Sequence, residues 1–129
     1  MDIEDFDFYE DDEGISVNIV FDVFNENKIK VIYLESDSSD EKMVSDINFI
    51  LKNQNEFLKL SEEKIASYVY SVYKNKDVSF KLMKVYISPD IENEFGFLFR
   101  WSGDTEHGIG IKFSGLSVKK IGSSEIAFL

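Results

Sequence analysis

Residues 95–113, FGFLFRWSGDTEHGIGIKF, constrain the fold more than any other stretch of this chain. Phe95, Phe97, Phe99 and Trp101 fall on alternate positions, so a strand turns all four rings to one face. After the polar segment 102–106, with its turn-favouring Gly103 and Asp104, the pattern resumes at His107, Ile109, Ile111 and Phe113. Gly96, Gly108 and Gly110 take the opposite parity, where another backbone or side chain can approach closely. The stretch reads as a hairpin with an aromatic wall, and the rest of the chain must pack against that wall. It also carries the only Trp, Arg and His.

Upstream, residues 3–9 alternate weakly around Phe6 and Phe8 and predict a short strand, followed by an acidic turn at 10–14. Residues 15–24 alternate strongly and predict a strand; 25–28 is a turn, and 29–34 returns antiparallel. A helix is expected next, because Met43, Val44, Ile47, Ile50 and Leu51 have helical spacing. Ser39 or Asp40 can cap it, and Glu41 suits its positive end. The pattern loosens at 53–55 and continues through Phe57 and Leu60. Ser61 reads as the N-cap of a second helix with the stripe Ile65, Tyr68, Val69, Val72 and Tyr73. Tyr68, Tyr70 and Tyr73 read as helix-to-sheet packing, not as a ligand cage.

Residues 75–77 end that helix, and 78–87 contain a strand, with Lys81 and Lys84 leaving its register open. Pro89 and Asp90 open a loop ahead of the aromatic hairpin. A last strand spans 116–121, and 126–129 tucks against the sheet. Strands, then two helices, then strands predict an α+β fold with a mainly antiparallel sheet, in the order β-β-β-α-α-β-β-β-β. At 129 residues the expectation is one domain, 1–129.

Charge narrows the function. Twenty-five acids against 14 bases give a net charge of -11. Such a chain is repelled by nucleic acid and anionic membranes and attracts basic partners. Eight of its acids lie in the first 13 residues, where there is no Lys or Arg. There is no cysteine, which excludes disulfides and thiol chemistry. The N-terminal segment lacks the basic and apolar regions of a secretory signal, and no apolar run approaches a membrane span. A cytoplasmic location is the expectation.

No stretch spells out a reaction, and no cofactor is implied. Asp104, Glu106 and His107 are the right atoms for a metal or an acid–base pair. A zinc site normally draws three or four ligands from several elements, so a self-satisfied turn is the stronger reading of these three. The run Glu10–Glu13 lacks the alternating ligands of a calcium loop. The glycines form no phosphate loop, and the bases do not cluster as a nucleic-acid footprint.

Trp101, a short acidic turn, Glu106-His107-Gly108, and then Ile109-Gly110 form a recognisable signature, followed later by Ile121-Gly122 and Glu125-Ile126-Ala127. With the upstream hairpin and two helices, it resembles a group of small bacterial domains encoded beside polymorphic or contact-dependent toxins. The resemblance implies an immunity protein that neutralises a cognate toxin domain by covering its active site or an essential surface. It supplies no catalytic residues, and its Trp101, Glu106, His107, Gly108 and Gly122 mark the fold. A basic toxin such as a nuclease would suit an acidic inhibitor. The candidate contact residues are Asp11, Asp12 and Glu13 in the first turn, and Glu35, Asp37, Asp40 and Glu41 ahead of the first helix. The chain is thus expected not to be an enzyme. Two alternatives stay open: a metal-dependent enzyme using Asp104, Glu106 and His107, and a homo-oligomeric module built on an exposed sheet edge.

Overall fold

The computed structural model describes residues 5–75 and 79–129, apart from the side chains of Asp104 and Thr105. The strand and turn assignments to Ile3, Lys76, Asp77 and Val78 lie outside the described residues. The strands are β1 (Tyr9–Asp11), β2 (Gly14–Val20), β3 (Lys28–Leu34), β4 (Phe80–Ile87), β5 (Glu94–Trp101), β6 (Asp104–Ser114) and β7 (Ser117–Gly122). The helices α1 (Glu41–Lys52) and α2 (Gln54–Tyr73) stand between β3 and β4, giving the α+β order that the sequence predicts. The seven strands form one sheet in chain order. Every neighbouring pair is antiparallel except β3–β4. That pair is parallel because a helical crossover returns the chain to the same end of the sheet, which no tight turn can do.

One face of the sheet carries the helices. The register lines up Val17, Val31, Val85, Phe97, Ile111 and Ile121 in one row across six strands. Ile15, Tyr33, Ile87, Phe95, Phe113 and Val118 form the next. Phe57 of α2 descends into these rows, with its ring 5.0 Å from Phe113, 5.3 Å from Phe97 and 5.9 Å from Phe95. The aromatic wall is therefore the floor of the core. Tilted and edge-on rings of this kind add to the burial of their large apolar areas. Tyr73 lies 4.8 Å from the buried Trp101, as helix-to-sheet packing requires, whereas Tyr70 is exposed.

The opposite face is covered in part by the chain's last residues. A Cβ at Gly96 would stand 1.6 Å from the Ala127 carbonyl oxygen, and one at Gly110 2.8 Å from the Ala127 nitrogen. These bare positions form a trough that seats the 3-10 helix Ser124–Ala127. Ala127 joins Ile32 and Tyr86 in a small second cluster, and the Phe128 ring lies 5.4 Å from that of Tyr86.

Several boundaries depart from the sequence-based expectation. The first strand is Tyr9–Asp11, later than 3–9, although Phe6 does enter the core. The acidic turn shortens to Asp12 and Glu13, since Asp11 pairs with Gly14. β2 stops at Val20, because Phe24 and Asn25 both donate backbone bonds to the Phe21 carbonyl and wind the segment into a turn. The helix junction is at Asn53, whose own N–H satisfies the end of α1. α2 runs straight through Ser61, which is buried and caps nothing. His107 does not share the core face of Ile109, Ile111 and Phe113. Gly108 sits at φ +66°, in an irregular stretch between the pairs Phe99–Ile109 and Trp101–Asp104, and this breaks the two-residue period.

Candidate functional site

The β1–β2 turn curls over the sheet face away from the helices. Asp11 forms an ion pair with Lys30 of β3. Glu13 accepts a bond from Lys84 Nζ at 3.0 Å and one from the Tyr86 hydroxyl at 2.8 Å. The Lys30 bond holds the Asp11 carboxyl below its usual value. Burial acts to raise Glu13, but the bonds from Lys84 and Tyr86 outweigh it and hold this carboxyl low as well. Burial and the bond to Glu13 in turn push the Tyr86 hydroxyl upward.

The segment after β3 is locked beside this turn by backbone bonds. Glu35 N donates to Glu13 O, and Ile15 N donates to Ser36 O, each at 2.9 Å. Gly14 permits the approach: at φ +143°, a Cβ here would lie 2.0 Å from the Tyr33 carbonyl oxygen. Glu35 is left at φ +55°, a conformation that side chains other than Gly and Asn rarely adopt.

These contacts bring the two acidic segments to one open cleft of about 500 Å³. Its walls carry Glu10, Asp11, Asp12 and Glu13 from the hairpin, Glu35 and Asp37 from the post-β3 segment, and Phe128 and Leu129 on the apolar side. Lys30 and Lys84 offset Asp11 and Glu13. Glu10, Asp12, Glu35 and Asp37 are exposed and have no ion pair among the described residues. Four uncompensated carboxylates around one hollow create a concentrated negative potential.

Two candidate acids lie elsewhere. Asp40 is the N-cap of α1, accepting from Met43 N at 3.0 Å, and both its oxygens are 2.9 Å from the Tyr33 hydroxyl. Its carboxylate is occupied by the fold. Glu41 is exposed in the first turn of α1, outside the cleft lining. The sequence reading omitted Glu10 and the pair Phe128 and Leu129 as site residues. For the latter pair the signal was the glycine parity of β5 and β6, which announced that another segment would lie on that face.

The signature residues are spread along β5–β7. Trp101 is buried, and Gly103 lets the turn lie against its ring, since a Cβ there would stand 2.3 Å from the indole. Gly122 faces Ile126, which a Cβ would meet at 2.9 Å. Glu106 and His107 are exposed and line a shallow hollow of about 260 Å³ with Arg100 and Ser124. Among the described residues no three His, Asp or Glu side chains are gathered so as to hold a metal ion; the Asp104 side chain lies outside those residues. Among the described residues no helix is long and apolar enough to cross a membrane.

No family model, no curated protein and no solved structure matches this chain.

Proposed function

We propose that this chain is an immunity-type binding protein that neutralises a basic bacterial toxin domain, such as a nuclease, by covering its active site or an essential surface. The observation that carries the reading is the joining of two acidic segments around one cleft, with Glu10, Asp12, Glu35 and Asp37 left uncompensated. The backbone bonds from Glu35 N to Glu13 O and from Ser36 N to Tyr33 O hold Glu35 beside three other exposed carboxylates. Carboxylates spaced around a hollow present to a cationic surface what a phosphate backbone presents to a nuclease. Phe128 and Leu129 supply the apolar contact that fixes a complex once charge has steered it together.

The deciding experiment is capture of the protein encoded immediately upstream in the cells of origin, followed by binding at low and high salt. The expected result is a tight complex with a basic toxin domain whose association rate falls as salt rises. A tight but salt-insensitive complex would keep the inhibitor and remove the acidic cleft from its interface. Absence of any complex with a toxin-like neighbour would overturn the reading.

A further inference from the structure

On the same sheet face, on the far side of the terminal segment from the acidic cleft, lies a pocket of opposite charge. It has a volume of about 380 Å³ and is lined by Glu94, Lys112, Lys119, Lys120, Ile126 and Leu129. Lys112 of β6 and Lys120 of β7 are direct cross-strand partners. Like charges facing one another in this way destabilise a sheet. Among the described residues Glu94 is the only acidic side chain in the lining, and it is engaged by Lys119 at 2.7 Å. Lys112 is half-buried, and its side chain makes no hydrogen bond or ion pair among the described residues. Burial pulls its ammonium group below the usual value, against the pull of Glu94. In a chain of net charge -11, three of the 14 basic side chains surround one hollow that holds a single acidic side chain among the described residues.

We propose that this pocket binds the phosphate group of a small molecule. A phosphate between Lys112 and Lys120 turns their repulsion into two charge-assisted bonds. Lysine suits such an anion as a point charge, and the volume falls in the range of small-ligand sites. Ile126 and Leu129 form an apolar wall on which the carbon part of an organic phosphate can rest. Glu94 holds Lys119 in place and leaves the lining with a net positive charge.

The test is a titration of the full chain with inorganic phosphate at fixed ionic strength, with chloride as the replaced anion, followed by NMR of the backbone amides. Saturable shifts centred on Lys112, Lys120 and Ile126 are expected, with a rise in Tm that chloride does not give. Lys112→Gln and Lys120→Gln should each weaken binding about tenfold. In chloride both variants should melt no lower than the parent, because the cross-strand repulsion is gone. Adenosine monophosphate is the second probe. Tighter binding than phosphate assigns the site to organic phosphates, and weaker binding assigns it to free phosphate. Shifts that never saturate, or saturable binding indifferent to both substitutions, would overturn the proposal.

Discussion

The Tyr86 hydroxyl donates to Glu13 Oε2 at 2.8 Å across 73 residues of chain, while Lys84 holds the other oxygen at 3.0 Å. This single carboxylate pins the acidic turn to the strand that follows the helices. Glu13→Gln keeps the shape and removes the charge. It should lower stability by about 1 kcal/mol, a charged hydrogen bond discounted for its partial exposure. The sign of the pH dependence follows from the lowered folded value of Glu13. Its contribution is present above the ordinary value of 4.5 and is lost as pH falls through the lower folded value. Asp11 acts with the same sign below 3.8. Asp46 of α1 acts oppositely. Burial raises it despite its ion pair with Lys42, so its ionisation costs stability as pH rises through the raised value. Urea denaturation along an acid series should therefore show the gap between the parent and Glu13→Gln closing as pH drops.

Asp40 should behave as part of the fold and not of the binding surface. Asp40→Ala removes the α1 cap, worth about 1 kcal/mol, and leaves the buried Tyr33 hydroxyl without its acceptor, worth about 1 kcal/mol more. Asp40→Asn, which still caps, should recover most of the loss. Chemical denaturation of the two variants checks this. A fall of the expected size with toxin affinity unchanged would separate Asp40 from its acidic neighbours.

The aromatic hairpin was legible because both its strands are buried on one face, so period two survives in the sequence. The same parity marked Gly96 and Gly110 as places of close approach, and the structure seats Ala127 there. What the sequence hid was set by long-range backbone contacts. Nothing near Glu35 says that its N–H will meet the Glu13 carbonyl, so the acidic segments read as two sites and not one. Ser61 looked like a helix start because Ser-Glu-Glu is a capping pattern. The helix continues there because Phe57 and Ile65, on either side, are both buried in the same core. His107 leaves the core face because Gly108, at positive φ in the irregular stretch of β6, breaks the two-residue period there.

Asp12 and Glu35 offer a clean test of the cleft, since neither has an ion pair among the described residues. Asp12→Lys with Glu35→Lys should leave thermal stability nearly unchanged, as expected of exposed, unpaired groups. It should slow association with the toxin domain proposed as its partner about tenfold or more at low salt, and far less at high salt. Glu35→Asn makes the point from the other side. Asn tolerates positive φ better, so this variant should gain up to about 1 kcal/mol of stability while binding more weakly. Stopped-flow association rates and melting curves measure both. Unchanged rates in the lysine variant would move the interface away from the cleft.

Gly96 sets how firmly the terminal segment is held. A methyl group at this position overlaps the Ala127 carbonyl at 1.6 Å, and the contact is with backbone, so no rotamer change relieves it. The strand cannot retreat, because Gly96 is paired with Tyr86 on one side and Lys112 on the other. The 3-10 helix must therefore lift. Gly96→Ala should cost about 3 kcal/mol, at the upper end of overpacking penalties. The helical face of the sheet, with Phe57 and the aromatic rows, should be left intact. Hydrogen exchange locates the change: amides of 124–129 should lose protection while those of α2 and of the β3–β4 pair keep theirs. Phe128 and Leu129 would leave the acidic cleft with the segment, so the variant should also bind a toxin domain more weakly, and through faster dissociation. If Asp12 and Glu35 steer association as proposed, its rate should stay close to that of the parent.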